Sequence, residues 1–568
     1  MALPSTLHVE IRTGGSNTAC GGGFNPGNAN MATDLAATSG TTSSPVVTSA
    51  SYTFVAGDVD AWLFIQSGTN WTPGWYKIAS VAGGAATLTA GAGTAVLYTA
   101  NRRVFDANTV AGCATVASPT NGVWSVDYSQ QNAAKISYTD MVIGATTTDF
   151  TSVANPLSKA LVGNLVNVTS GTGFTVQFVE IVSVNLAGFV ATCDKSLGTA
   201  ASTGGVGALG GALLTWERVM GATGIVIAGN FVWVQSGTFT VTAAIVLSSS
   251  GSVAAGQITV QGYHLLRGDN TGTRPVLTSA TNSINLINLN GKIYREWNNL
   301  KFTHTAATRG RGLYALSTSA GNYQTVFNCV FDGLLEAING QNTTGFPMSH
   351  VRVEGCEIAN STGDGLVFGS SLFVVIQNNW IHDNSLTGCK VVTGTSDVRF
   401  EGNRFDTNGT DGLSIANFTM DIAVLANVFY ANVGDGLDSA VTTSTTHLFY
   451  IENNIFDSNG AFGVNMQNAL SIVPINRNNA YRNNTSGARN NLPAGRSDVT
   501  LTGDPFTSAA TGDFTLNNTA GAGAACRGAG SPAYRDIGAL QHQDAGGGGT
   551  TYVIAPVTNM FITEEVPY

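Results

Sequence analysis

Apolar and polar residues follow a pattern that returns about every 25 residues between positions 293 and 490. Each repeat holds a short alternating strand, a small residue or Asn, and then an apolar or aromatic anchor. The anchors are Phe302, Phe331, Ile358, Ile381, Phe405, Phe429, Phe456 and Tyr481. A repeat of this length predicts stacked coils that share one continuous core.

The register inside each repeat supports this interpretation. Apolar residues stand seven and five positions before the anchor, as in Val351/Val353, Val374/Ile376, Val398/Phe400, Ile422/Val424 and Phe449/Ile451. Residues two apart on a strand face the same side, so these pairs are predicted to point inward. Eight positions past the anchor, a second inward column is predicted at Leu366, Cys389, Leu413, Leu437 and Val464. A period in the low-to-middle twenties that varies by a few residues favours a three-sided coil with loops of variable length.

Asn recurs three positions past the anchor in five consecutive repeats, at Asn384, Asn408, Asn432, Asn459 and Asn484. Asn tolerates left-handed backbone conformations, and its amide can bond the Asn of the next coil. This column resembles the asparagine ladders of the pectate-lyase-like β-helix superfamily. The resemblance covers roughly residues 225–545 and implies an all-β fold built on a right-handed parallel β-helix. That fold hosts many functions, so the resemblance fixes no activity.

A second repeat occupies the N-terminal third of the chain. Ser67 aligns with Ser170, Trp71 with Phe174, and Ile78 with Ile181, each pair 103 residues apart. These matches predict two tandem small β modules ahead of the β-helix. Modules of this kind resemble those of bacteriophage tail-fibre, tailspike and other virion appendage proteins.

The predicted organisation has five parts. They are an N-terminal arm (1–30), a first small β module (31–135), a second (136–205), the β-helix with an N-terminal capping helix near 212–220 (206–545), and a Gly linker with a strand-like tail (546–568). An uncapped solenoid would expose apolar rungs and strand edges, which is why a cap is expected.

The composition of the chain argues against several classes of function. Charged residues make up only 11% of the chain and the net charge is −10. Nucleic-acid surfaces need clustered basic residues, so nucleic acid is not expected as a partner. No apolar run is long enough to span a membrane, and the N-terminus does not resemble a signal peptide. The seven scattered Cys predict buried thiols. No motif predicts a metal or another cofactor.

Two pairs of acids are candidate catalytic groups. Asp411 and Asp435 lie in adjacent coils, six positions past the anchor, at a backbone spacing of about 4.8 Å. The alternative is that Asp in these Gly-rich turns caps backbone amides. Glu354 and Glu401 share an outward position two coils apart, where Arg352 and Arg399 offer ordinary surface ion pairs instead.

Aromatic side chains predicted to point outward are candidates for stacking on sugar rings. They are Trp71, Trp75 and Tyr450, with Trp62 as a further case. Half-exposed aromatics also occur on β surfaces that bind nothing.

Three hypotheses for function follow. The first is a virion structural protein, a tail-fibre, tailspike-like or capsid-surface appendage that contacts other virion proteins and host-surface polysaccharide. Outward apolar residues Val375, Ala423 and Leu425 favour packing between copies in a homotrimer. The second is an enzyme, a polysaccharide lyase or glycoside hydrolase. The third is a non-catalytic glycan-binding adhesin on a cell surface.

Overall fold

Strands account for almost all of the regular structure. The computed structural model describes residues 7–542 except 29, 38–43, 92–95, 100–101, 106–112, 271, 316–320, 342–347, 393, 417–420, 441–447, 469–473 and 533–534. Helical segments there are the α-helices Trp216–Met220 and Gly523–Cys526 and the 3₁₀ turns Ala56–Asp58, Lys159–Leu161 and Ala509–Thr511. The predicted linker and tail at 546–568 lie outside the described residues.

The chain divides into two compact units. The first runs through Phe239 and takes in Ser248–Val276, and the second holds Thr240–Leu247 and continues from Leu277. No helix within the described ranges is long and apolar enough to cross a membrane.

Two closed antiparallel barrels form most of the first unit. The strands of the first barrel are Ala32–Ala37, Val46–Ser49, Trp62–Thr69, Gly74–Ala82, Ala85–Gly91 and Thr120–Asp127. Those of the second are Ile136–Ile143, Asp149–Thr151, Leu165–Ser170, Gln177–Asn185, Val190–Cys193 and Gly205–Leu209. The strand order around both barrels is the same. The third and fourth strands of each barrel start 103 residues apart, as the sequence repeat does. A separate hairpin pairs Val96–Thr99 with Arg102–Phe105.

The rest of the first unit surrounds a buried charge network. The strand His8–Ile11 pairs in parallel with Phe231–Gln235, which pairs with Ile258–Tyr263, while Gly23–Phe24 runs antiparallel to the first of them. Arg267 is fully buried and forms ion pairs of 2.9 Å with both Glu10 and Asp127. Buried charges need partners of this kind because desolvation is costly.

The predicted capping helix is shorter than expected. It spans Trp216–Met220, and the Thr215 side chain accepts a hydrogen bond from the Arg218 amide at its N-terminus.

Three parallel sheets wind through about 9 turns of a solenoid in the second unit. The first sheet contains Arg295–Asn298, Gln324–Phe327, Val351–Glu354, Leu372–Gln377, Ser396–Glu401, Ile422–Leu425, Phe449–Glu452 and Ile475–Arg477. The second contains Thr238–Thr240, Val276–Ser279, Lys301–His304, Val330–Asp332, Glu357–Ala359, Trp380–His382, Arg404–Asp406, Val428–Tyr430, Ile455–Asp457, Ala480–Arg482 and Val499–Thr500. The third contains Ile245–Val246, Ile287–Asn288, Leu313–Tyr314, Ile338–Gly340, Leu366–Gly369, Cys389–Val392, Leu413–Ile415, Leu437–Ser439, Phe462–Met466 and Gly487–Asn490.

The predicted anchors form one buried column in the second sheet. All eight are at most 3% exposed. The rings of Phe405, Phe429, Phe456 and Tyr481 stack with centroid separations of 5.0, 4.8 and 5.3 Å. The inward register predicted from the repeat is therefore confirmed, and all seven Cys are buried free thiols, as expected.

Two asparagine ladders line the corners beside this column. In the predicted ladder, each Nδ2 donates to the Oδ1 of the next Asn at 2.8–2.9 Å. A second ladder stands two positions before the anchors, at Asn379, Asn403, Asn427, Asn454 and Asn479, with distances of 2.9–3.0 Å. This second ladder was not predicted from the sequence, although its spacing is equally regular.

A closing segment packs against the outside of the second sheet. It contains the hairpin of Phe506–Ser508 and Asp513–Leu516 and the helix Gly523–Cys526. Its apolar side chains form a cluster with Val428, Ile455 and Ala480, which flank the anchors on the outer side.

The expectation of outward apolar residues on the first sheet was partly wrong. Ala423 is fully buried and Leu425 is 7% exposed within the single chain, whereas Val375 is half-buried. The folded chain therefore covers two of the three positions that had favoured contact with a second copy.

Candidate functional site

The outer face of the second sheet carries a column of mostly polar side chains. Because each anchor points inward, the residues directly before and after it point outward. After the anchors come Thr303, Asp332, Ala359, His382, Asp406, Tyr430, Asp457 and Arg482. From Val428 onward the closing segment covers this face. Just before that boundary lies what we term the acid–base cluster, consisting of Glu357, Trp380, His382, Arg404 and Asp406.

His382 is at the centre of the acid–base cluster. Its imidazole stacks on the Trp380 indole with centroids 3.9 Å apart. Nδ1 lies 2.8 Å from Asp383 Oδ2, and Nε2 lies 3.6 Å from Glu357 Oε1, an ion-pair distance. Burial disfavours the imidazolium, but its interactions with the carboxylates of Glu357, Asp383 and Asp406 outweigh the effect of burial and raise the His382 pKa.

The two carboxyl groups on either side of His382 have different acidities. Burial raises the pKa of Asp406 to about 6, even though its Oδ1 accepts a 2.6 Å hydrogen bond from Trp380 Nε1. The Glu357 pKa is lowered, chiefly by its interaction with His382, and its side chain is 44% exposed. Environments that separate the pKa values of two neighbouring acids are typical of sites that need both an acid and a base.

Arg404 completes the cluster. The strand register aligns Glu357, Trp380 and Arg404 in successive coils, and the guanidinium lies 5.1 Å from the Trp380 ring centroid. Among the described residues its side chain makes no ion pair, and burial lowers its pKa. Its N–H groups are therefore available to a ligand that lies over Trp380.

The closing hairpin touches the same tryptophan. Gly512 has φ +79°, and a Cβ built there would lie 2.7 Å from Trp380 Cζ2. The acid–base cluster thus lies where the uncovered part of the outer face meets the closing segment. Within the described ranges, no group of three or more His, Cys, Asp or Glu is arranged to hold a metal ion.

The first predicted acid pair serves the turns between coils. Asp411 Oδ1 accepts the Asp435 amide at 2.8 Å, and Asp435 Oδ1 accepts the Phe462 amide at 2.6 Å. Burial, with the nearby charges of Asp438 and Asp435, raises the Asp411 pKa to about 6. The alternative interpretation, in which these aspartates cap backbone amides in the turns, expects such hydrogen bonds. A catalytic role for Asp411 and Asp435 remains a prediction.

The second predicted pair is held by arginines. Glu354 pairs with Arg352 at 2.8 Å. Glu401 is only 3% exposed and pairs with Arg399 at 2.6 Å and with Arg535 of the closing segment at 3.1 Å. Glu401 was expected in a surface ion pair, but it is buried beneath the closing segment.

The predicted sugar-stacking aromatics of the first barrel are buried, so the expectation that they point outward was wrong. Trp71 and Trp75 are each 5% exposed and Trp62 is 3% exposed. Trp71 Nε1 donates a hydrogen bond to the Thr120 carbonyl. The ring of Trp75 packs on that of Phe64, with the ring centroids 4.4 Å apart. Barrel closure turns these rings inward, and they offer no surface to a sugar. Tyr450 on the solenoid is half-exposed.

The acid–base cluster was not predicted from the sequence. The predicted sites lie on the strand before the anchor and in the turn after it, whereas the cluster is formed by the two residues that flank the anchor. The signal was present, since His382 and Asp406 directly follow anchors and Glu357, Trp380 and Arg404 directly precede them.

Comparison with known proteins concerns the solenoid. A family model described as right handed beta helix region matches residues 311–485. No curated protein sequence matches the chain.

Solved structures with similarity include pectate lyase Pel9A (17% identity, covering 58% of this chain and 92% of that one, TM-score 0.45). They also include the A-module of the Azotobacter vinelandii mannuronan C-5 epimerase AlgE4 (11% identity, covering 48% of this chain and 89% of that one, TM-score 0.29). A third similar structure is the GH136 lacto-N-biosidase of Eubacterium ramulus (10% identity, covering 51% of this chain and 64% of that one, TM-score 0.34).

The three parallel sheets, the stacked anchors and the two asparagine ladders agree with the match over residues 311–485. The solenoid of this chain is a right-handed parallel β-helix, the fold that the matching family model describes.

Proposed function

We propose that this protein is a glycoside hydrolase that cleaves a polysaccharide lying along the outer face of the second sheet. The observation that supports the proposal most strongly is the acid–base cluster, in which His382 lies between two carboxyl groups whose pKa values are shifted in opposite directions. Hydrolysis of a glycosidic bond uses two such groups, one protonated and one ionised.

The shifted pKa values assign the roles. Asp406, with a pKa of about 6, is the acid that protonates the departing glycosidic oxygen. Glu357, with a lowered pKa, is the ionised base that activates water. They lie two coils apart, about 9.5 Å along the solenoid axis from the strand spacing. Glu357 precedes its anchor and Asp406 follows its own, so the two residues are also offset by two positions along the strand. Their separation exceeds the roughly 5–5.5 Å of retaining enzymes, which favours inversion at the anomeric carbon.

In this proposal, Trp380 positions the catalytic groups and Arg404 binds the substrate. The indole supports the His382 ring and fixes Asp406 through its N–H. The guanidinium over the same indole supplies donors to substrate oxygens. His382 keeps Glu357 ionised by its positive charge and is a positioning residue.

The first test is a cleavage assay of the full chain on a panel of soluble neutral and acidic polysaccharides. We expect new reducing ends with at least one substrate and inverted configuration in the first product. Cleavage that produces unsaturated ends would contradict hydrolysis and favour elimination, and no cleavage across the panel would contradict an enzymatic role for the site.

A further inference from the structure

A second candidate binding site lies in the first unit and shares no residue with the acid–base cluster. It is a cavity of about 550 Å³, within the usual size range of small-ligand sites. Its walls come from the turn at 57–62, the segment 130–135 and the side chains of Arg12, Lys77, Gln235 and Leu265.

The charged groups that line the cavity are mainly cationic. Arg12, Lys77 and Lys135 line it, against one carboxylate, Asp60. Arg12 forms an ion pair with Glu10 at 2.9 Å, and Lys135 forms one with Asp58 at 2.6 Å. The side chains of Glu10 and Asp58 are fully buried and do not line the cavity. The cavity therefore presents N–H donors, with the compensating carboxylates lying deeper.

A buried acceptor lies beside these donors. Gln130 is 1% exposed, and its Nε2 donates to Asp127 Oδ2 at 3.2 Å. Among the described residues its Oε1 has no hydrogen-bond partner. Leaving a buried acceptor unpaired is costly, so a ligand with hydroxyl donors would offset that cost.

The second barrel provides an internal comparison. At a spacing of 103 residues, Trp62 corresponds to Leu165 and Lys77 to Glu180, which is buried and bonded to Asn25 and Asn28. The same strand order thus forms without the ammonium group that Lys77 contributes to the cavity. The barrel fold does not require this ammonium group, which favours a role for Lys77 in binding.

We infer that the cavity binds a carboxylate-bearing sugar. The carboxylate lies toward Arg12, Lys77 and Lys135, and the sugar hydroxyls lie toward the amide groups of segment 130–135. This inference is independent of the proposed hydrolase activity, because the residues belong to a different unit.

The test measures binding of D-glucuronate to the full chain by isothermal titration calorimetry, with D-glucose and inorganic phosphate as comparison probes. We expect glucuronate to bind at least 10-fold more tightly than either. Equal affinity for glucose would overturn the role of the cationic wall. Phosphate binding as tightly as glucuronate would show a simple anion site and overturn the sugar assignment.

Two variants sharpen this test. Lys77→Met removes a half-exposed ammonium whose partner Asp60 is itself exposed, so the barrel should fold normally, and we expect at least a 5-fold loss of affinity. Lys195→Met removes a comparable ion-paired lysine of the second barrel and should leave affinity unchanged. Equal affinity in both variants would overturn the assignment.

Discussion

The protonation states of Glu357 and Asp406 decide when the proposed hydrolase is active. Glu357 must be ionised, so the rate falls as the pH drops through its lowered pKa, below the ordinary 4.5. Asp406 must be protonated, so the rate falls as the pH rises through about 6. The rate should therefore be highest between pH 4.5 and 6, measured as reducing ends released per minute.

His382→Gln tests this assignment within the same assay. Loss of the imidazolium raises the pKa values of both Glu357 and Asp406, because each is lowered by His382. Both limbs of the pH–rate profile should shift to higher pH. An unshifted profile in the variant would contradict the positioning role of His382.

The burial of individual residues was predictable where the repeat determines which face of a strand they occupy. The anchors and the Asn384 ladder follow from period and register alone. The burial of Trp71 and Trp75 did not follow, because it depends on how a six-stranded barrel closes. The link between Glu401 and Arg535 joins residues 134 apart, and no local pattern indicates it.

At the element scale, the second asparagine ladder should be a major source of solenoid stability. Asn403 is fully buried, accepts from the Asn379 amide and donates to the Ile376 carbonyl and to Asn427. Asn403→Ala leaves several buried polar groups unpaired, at about 1–3 kcal/mol each. We expect a loss of about 3 kcal/mol in the free energy of unfolding in urea. Exposed Asn518→Ala should change it by less than about 0.5 kcal/mol, and equal effects would contradict a ladder role.

The closing hairpin should depend on a glycine at its tip. Gly512→Val places a side chain against Trp380 in a left-handed backbone conformation. Gly83→Val is the matched control, since its φ is +58° and nothing lies within 4 Å of its Cβ. We expect Gly512→Val to lower the thermal midpoint further and to change tryptophan fluorescence, whereas equal effects would show backbone strain alone.

The elements themselves were largely predictable, and their contacts were not. Coil spacing predicted the strands of the second sheet, and the 103-residue repeat predicted paired modules. The capping helix is shorter than the predicted 212–220, because it begins only after its N-cap, Thr215, and ends at Met220. The position of the closing segment beside Trp380 depends on tertiary packing, which no local sequence pattern indicates.

For the whole molecule, the virion appendage, its partners and its trimeric state remain proposals from the sequence. Burial of Ala423 and Leu425 removes part of their support, while Val375 stays half-buried. Native mass spectrometry tests the assembly. The appendage hypothesis predicts three copies of the 58.6 kDa chain, and a stable monomer at micromolar concentration would contradict it.

The most direct test of the central claim compares Asp406→Asn with Asp438→Asn at pH 5, on the polysaccharide that the wild type cleaves fastest. Both replace a largely buried Asp on the solenoid by an amide of the same shape, but Asp438 lies on the third sheet. Loss of the acid should lower the rate about 100-fold or more in the first variant, with the second close to wild type. Equal rates in the two variants would contradict catalysis at the acid–base cluster.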